Sequence, residues 1–122
     1  RGGGIVAAAM NTEIEECLNR ATVVADDTAN PITAGGVVGA LLEGSVVRNC
    51  KHYGTLYCQL YGNSKFVGGG IAGTSVDGTT INDCRFGGQF KGKSGDPVAL
   101  TADDVCGDSN FSGSGNTLWD GK

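Results

Sequence analysis

The apolar residues of this chain fall in short segments that recur at a nearly constant interval. A Gly-Gly-apolar segment begins at Gly3, at Gly35 and again at Gly69, and each leads to an apolar residue three positions before a cysteine. The apolar residues are Ile14, Val47 and Ile81, and the cysteines are Cys17, Cys50 and Cys84. Self-similarity at a period of roughly 20 to 50 residues is typical of stacked repeat proteins. The pattern therefore predicts three structural repeats.

Each copy predicts three short β-strands: the Gly-Gly-apolar segment, the apolar-x-x-Cys segment, and a third segment that ends on an apolar residue. The third segments align without gaps as Ala21-Thr22-Val23, Gly54-Thr55-Leu56 and Gly88-Gln89-Phe90. Strands this short cannot bury their apolar side chains alone, but equivalent strands stacked about 4.8 Å apart pair their backbones and cover one another. The pattern predicts an all-β fold, a parallel β-helix (β-solenoid) with about three strands per coil. Its glycines are expected to provide positive φ at the corners.

The boundaries follow from the alignment of the copies. We expect one domain, with repeats at about 1–33, 34–67 and 68–92 and a degenerate C-terminal capping coil at 93–122. In the capping coil, Thr101 and Asp104 form a helix N-cap pattern, and residues 116–119, with the only Trp, are expected to form a last strand. The first copy is one residue shorter than the second, and we place this deletion near Asn11-Thr12.

The interval between Ile14 and Cys17 conflicts with a regular strand, because side chains three apart point to opposite faces. Either a corner or bulge lies between them, or Cys17 is itself a corner residue.

The composition narrows the classes of function. The chain has 122 residues, 22 of them glycine, and a net charge of −4 with its Lys and Arg residues scattered, which argues against a nucleic-acid partner. Five cysteines without a Cys-x-x-Cys pair and one histidine argue against a zinc site, and we predict no metal and no cofactor. The longest apolar run, residues 32–42, is shorter than the about 20 residues of a membrane helix.

The chain opens on Arg1 within a repeat, and we expect it to be part of a longer protein. The first copy has no capping segment before it, which leaves a β edge uncovered. We expect a preceding domain or self-association to cover this edge.

The motifs of the second copy resemble a known repeat family. Gly35-Gly36-Val37-Val38-Gly39, then Arg48-Asn49-Cys50 and Gly54-Thr55-Leu56, is similar to the GLUG-type repeat of bacterial surface proteins, and the resemblance extends over about residues 2–92. It implies a right-handed parallel β-helix in secreted or surface-anchored proteins, including adhesins and non-catalytic segments of immunoglobulin-cleaving peptidases. The family supplies no catalytic residues. Departures from the motif stand at Ala7, Glu16 and Ala72.

The three repeat cysteines could form a metal site, disulfides or a ladder of buried thiols. Stacked in-register Cβ atoms lie about 4.8 Å apart, which is beyond the roughly 3.5–4.5 Å of a disulfide. We therefore predict a structural core ladder of small apolar groups, made of Cys17, Cys50, Cys84, Ile14, Val47 and Ile81. The states of Cys58 and Cys106 stay open.

Aromatic residues of the second copy are the best candidates for ligand contact. His52 and Tyr53 are placed at a turn, Tyr57 alternates outward from Leu56, and Tyr61 follows at the next loop. Such a patch could stack on sugar rings or on a protein partner. In the alternative interpretation, Tyr61 packs over its own coil and His52 is simply solvated.

Two acidic pairs, Asp26-Asp27 and Asp103-Asp104, raise the alternative of a small polysaccharide lyase or hydrolase. They lie in different, weakly patterned regions, whereas catalysis requires groups that converge in a pocket. We therefore predict no catalytic residues, and we expect Glu15 to pair with Arg48 across coils. The predicted function is a non-enzymatic structural or adhesive module of a secreted or surface-displayed bacterial protein. The alternative is a carbohydrate-binding module that uses the exposed tyrosines.

Overall fold

The computed structural model of the chain describes residues 2–27, 34–60, 68–92, 95 and 97–122, with the side chains of 25–27 and 58–60 left out. The first copy contains β1 (Gly2–Gly3), β2 (Val6–Ala9), β3 (Glu13–Glu15), β4 (Leu18–Asn19) and β5 (Val23–Asp27). The second contains β6 (Ala34–Gly35), β7 (Val38–Leu41), β8 (Val46–Arg48) and β9 (Lys51–Leu60). The third contains β10 (Gly68–Gly69), β11 (Ala72–Ser75), β12 (Thr80–Asn82) and β13 (Arg85–Lys91). A 3₁₀ turn (Ala102–Val105) and β14 (Thr117–Leu118) follow.

Equivalent strands of successive copies pair in parallel. Three sheets have three strands each, in the orders β1-β6-β10, β2-β7-β11 and β3-β8-β12. In the fourth sheet, β9 pairs with β4 and β5 on one side and with β13 on the other, and β14 pairs with β13. The prediction of an all-β fold with parallel strands is confirmed.

The described residues contain more strands per copy than the predicted three or so: five in the first copy and four in each of the second and third. In the second copy the Gly-Gly-apolar segment is divided into β6 and β7 by a bend at Gly36 and Val37. The His52 ring on β9, a strand of the fourth sheet, packs against Gly36. The bend between β6 and β7 therefore lies where the backbone passes this ring.

The predicted register is confirmed in the second and third segments. Val47 pairs with Ile14 on one side and with Ile81 on the other. The deletion in the first copy also lies where it was placed. Ala9 pairs with Leu41 at an interval of 32 residues, and the interval is 33 from Glu13 onward.

A corner residue lies between the apolar position and the cysteine of each copy. Glu16, Asn49 and Asp83 have φ values of 53°, 53° and 55°. A residue in this left-handed region turns the chain through a corner, so that side chains three apart can both face the core. This corner resolves the conflict between Ile14 and Cys17.

The paired glycines have a different role from the predicted one. Neither Gly36 nor Gly70 has positive φ. A Cβ atom on Gly36 would lie 2.4 Å from Cγ of His52, and one on Gly70 would lie 2.3 Å from Cγ of Phe86. These glycines are needed because a ring from the fourth sheet packs directly against the backbone.

The core is narrow and lies inside the four sheets. Besides the aliphatic and thiol side chains expected from the sequence, it contains Phe86 and Phe90, whose rings stack with centroids 6.0 Å apart. The final segment covers the end of this core at the third copy. Val105 is buried there, and its carbonyl accepts a hydrogen bond from Ile71 N at 2.9 Å.

The expected short helical turn is present as the 3₁₀ turn. Thr101 precedes it, and Thr101 N donates to a carboxylate oxygen of Asp104 at 2.8 Å. The last strand is also present, as β14 within residues 116–119. In the part of the chain that the structure describes, no helix has the length and apolar character needed to cross a membrane.

Candidate functional site

The repeat cysteines form a column of free thiols, each directly after one of the corner residues Glu16, Asn49 and Asp83. Cys50 and Cys84 are fully buried, and Cys17 is half-buried at the outer end of the column. The Cys50 thiol donates to Ile14 O at 3.7 Å, and the Cys84 thiol donates to Val47 O at 4.0 Å.

The neighbouring thiol of Cys84 and burial both raise the pKa of Cys50, so its neutral form is favoured. Cys50 and Cys84 pack as small apolar groups, each weakly hydrogen-bonded to a backbone carbonyl of the preceding copy, whereas the Cys17 thiol donates to Glu15 O of its own copy at 3.5 Å. Cys106 is a buried free thiol, and the side chain of Cys58 lies outside the described ones. Within the described ranges, no three His, Cys, Asp or Glu side chains form a group that could hold a metal ion.

His52 does not lie at a turn, and its assignment as a ligand contact is wrong. It stands inside β9, between Asn19 and Phe86 in the neighbouring strands, with its side chain fully buried. Among the described residues, neither ring nitrogen has a hydrogen-bond partner. Burial lowers the pKa of His52, and the nearby backbone of Asn19, which does not meet the geometry of a hydrogen bond to the ring, offsets this only in part. His52 is therefore a neutral core residue.

The tyrosines of the second copy differ in their surroundings. Tyr53 is half-buried, with its ring edge-on to Trp119 at a centroid distance of 5.9 Å and its face close to Gly121. Tyr57 is half-buried on the same strand, between Val24 and Lys91 in the neighbouring strands. Tyr61 lies outside the described residues. The structure thus brings Tyr53 and Tyr57 onto one strand and removes His52 from the set.

Two cations converge on the Trp119 ring. The guanidinium carbon of Arg20 lies 5.0 Å from the ring centroid, and the ammonium nitrogen of Lys51 lies 5.2 Å from it. Interactions of this type are worth about 0.5–1 kcal/mol at exposed sites. We call Arg20, Lys51, Tyr53 and Trp119 the Trp119 patch.

The sequence analysis missed this patch, although the alignment contains a signal for it. Leu18 pairs with Lys51, and Phe86 pairs with Leu118. Extending both pairings places Arg20, Tyr53, Gly87 and Trp119 in one column, with the glycine leaving room for the tyrosine ring. A Cβ atom on Gly87 would lie 3.1 Å from the Tyr53 ring.

A shallow depression adjoins the patch. Its volume is about 310 Å³, and it is lined by Asn49, Lys51, Asp83, Arg85, Gly115 and Thr117. Lys51 belongs to both features, because its ammonium group lies near Trp119 while its side chain lines the depression.

Other polar side chains connect one copy to the next. Arg48 Nε donates to Glu15 Oε1 at 2.7 Å, and its Nη2 also contacts Glu13 at 3.0 Å, which confirms the expected pairing of Glu15 with Arg48. Asp108 of the final segment accepts a hydrogen bond from Ser75 N at 3.0 Å. Of the two acidic pairs, the Asp104 carboxylate is engaged by Thr101 N, and the side chains of residues 26 and 27 lie outside the described ones.

No family model, curated protein sequence or solved structure matches this chain.

Proposed function

We propose that this chain is a non-enzymatic module of a secreted or surface-displayed bacterial protein, folded as a right-handed parallel β-helix, with a structural or adhesive role. The observation that carries the proposal is the in-register stacking of three copies in four parallel sheets. A chain that follows these sheets in order returns to the first sheet once per copy, which is the path of a β-helix.

The connections between copies support a structural role. Arg48 pairs with two acids of the preceding copy, and Asn116 of the final segment accepts from Cys84 N and donates to Ile81 O, both at 3.0 Å. Polar groups that could have formed a site are used to join successive layers. The resemblance to GLUG-type repeats supports the same role and the extracellular location.

The outer face of the fourth sheet supports the adhesive form of the proposal. Tyr53, Tyr57 and Trp119 lie on this face as half-buried rings, and each presents part of its surface to solvent. Tyr and Trp side chains that are partly buried and partly exposed to water are enriched at binding interfaces. Carbohydrate is the second candidate ligand, because the flat rings lie beside hydrogen-bonding side chains such as Lys51.

The test is binding of the purified chain to an array of bacterial and host glycans and extracellular-matrix proteins. The adhesive role predicts a ligand whose binding is lost in Tyr57→Ala and retained in Thr55→Ala, a half-buried neighbour on the same strand. Equal thermal midpoints of the two variants would show that both are folded. Binding to no probe would leave only the structural role, and turnover of any glycan would contradict the proposal.

A further inference from the structure

We propose that Lys51 and Arg85, beside Trp119, bind the carboxylate groups of an acidic polysaccharide. This inference rests on the adhesive form of the proposed function and names the ligand class. It begins from a charge arrangement that the fold itself does not neutralise.

Lys51 and Arg85 are direct neighbours in the register of β9 and β13. Like charges directly opposite each other destabilise a sheet. The salt bridges between described residues all involve Arg48, so neither Lys51 nor Arg85 has a described carboxylate within 4.0 Å. The sheet therefore holds two adjacent cations whose repulsion a bound anion would relieve.

Arg48 provides the contrast within the same chain. It occupies the third sheet, where Glu15 is its register partner and Glu13 also reaches it. Arg48 of the third sheet thus lies beside acids, whereas Lys51 and Arg85 of the fourth sheet lie beside each other. With a net charge of −4, the chain has more acids than cations, so this local excess of positive charge is not a consequence of composition.

The depression provides the groups that a sugar acid requires. Arg85 offers a planar guanidinium that can bind a carboxylate through two parallel hydrogen bonds, and Lys51 adds a second charge. Asn49 and Thr117 line the same depression and can bond hydroxyl groups. The half-buried Trp119 ring lies 5.2 Å from the Lys51 ammonium, so an apolar surface adjoins the charges.

Asp83 adds one negative charge beside the two cations. It lines the depression together with the two cations, and its carboxylate lies so close to Gly115 that a Cβ atom there would be 2.1 Å from Oδ1. It repels any polyanion, so a ligand needs contacts besides charge, and Asn49 and Thr117 can bond the sugar hydroxyl groups that a DNA backbone lacks. These features favour an acidic glycan.

The experiment uses two forms of one polymer as probes. Oligomers of polygalacturonate and the same oligomers with every carboxylate methyl-esterified are titrated into the chain by calorimetry at low and physiological salt. We expect the acid form to bind and the ester to bind at least about tenfold more weakly, because the ester cannot accept charge-assisted hydrogen bonds. Failure of the acid form to bind, or equal binding of the ester, would overturn the inference.

Variants separate the site from general electrostatics. Lys51→Gln with Arg85→Gln should weaken binding of the acid form at least about tenfold and should change the thermal midpoint little, because the relieved repulsion offsets the lost contact of Lys51 with Trp119. The variant Lys51→Arg with Arg85→Lys conserves both charges and should keep binding within about threefold. It therefore shows whether the weaker binding of the glutamine variant comes from the lost charges or from a disturbed fold. Arg48→Gln removes one positive charge from the third sheet and should leave binding unchanged.

Several outcomes would contradict the assignment. An equal loss in Arg48→Gln would mean that binding follows net charge. If poly-aspartate or a single-stranded oligonucleotide competed as strongly as the sugar acid does, the proposed ligand class would be wrong. Binding of neutral glycans that depends on Tyr57, without binding of polygalacturonate, would refute this inference and leave the proposed adhesive function standing.

Discussion

His52 is the buried polar group whose replacement tests the described core most directly. Its neutral ring has one N–H donor and one acceptor nitrogen, and neither has a partner among the described residues. An unsatisfied buried polar group costs about 1–3 kcal/mol. The neighbouring strand has Phe86 at the equivalent position, against Gly70 as His52 lies against Gly36. His52→Phe should therefore raise the free energy of unfolding by about 1–3 kcal/mol at neutral pH.

The same substitution should remove a component of the pH dependence. Burial lowers the pKa of His52 below 6.5, so the folded protein binds this proton less readily than the unfolded chain. The stability that the neutral ring contributes is fully present above about pH 6.5 and is lost as the pH falls towards the lower folded pKa, by up to about 1.4 kcal/mol per pH unit. The difference in free energy of unfolding between His52→Phe and the parent protein should thus increase as the pH falls.

The assay is urea unfolding of both proteins between about pH 7.5 and pH 5, a range that spans the ordinary pKa of histidine. Carboxylates titrate in both proteins, so the difference between the two curves isolates the histidine. His52→Asn is the matched control, because it keeps a polar group at the position and places there the residue type of Asn19. A constant difference across this range, or a less stable His52→Phe, would refute the description of His52 as a neutral, unpartnered core residue.

Three further predictions concern the rest of the fold. Gly70→Ala should destabilise the protein by about 2 kcal/mol or more in urea unfolding, because its Cβ would lie 2.2 Å from Phe86 Cδ2, whereas Gly78→Ala meets no atom within 4 Å and should cost only its left-handed backbone strain. Alkylation of the native protein, mapped by mass spectrometry, should modify the half-buried Cys17 well before the fully buried Cys50; equal rates would contradict the thiol column. Trp119→Ala should lower stability by about 1–2 kcal/mol through loss of the Tyr53 contact and both cation contacts, and more than Arg48→Gln does; no loss would mean that the Trp119 patch does not hold β14.

The register could be predicted from the sequence because stacking requires the same kind of side chain at the same level. Ile14, Val47 and Ile81 are similar in shape, and shifting one copy by a residue would take its cysteine out of the column of Cys17, Cys50 and Cys84. The single-residue deletion was also placed correctly, since Asn11 lies in a turn, where the chain length can change without displacing a buried side chain.

The function of the paired glycines could not be predicted in the same way. Glycine is required both where φ is positive and where another group lies too close for a Cβ atom. The sequence alone does not distinguish these two roles. Gly36 belongs to the second kind because of His52, which lies 16 positions later in the chain. The buried position of His52 was predictable, since alternation from the inward Leu56 returns to the core at 52. The polarity of histidine instead favoured a solvated turn, and that prediction was wrong.

The left-handed corners at Glu16, Asn49 and Asp83 have a consequence for how such a chain can grow or shrink. The buried aliphatic residue and the cysteine are three positions apart in every copy. The turn before them, in contrast, is one residue shorter in the first copy than in the second. Inserting one residue at the corner would send every later side chain of that layer to the wrong face. Length variation is therefore confined to the outer turns, where new loops can be added without disturbing the layers above and below.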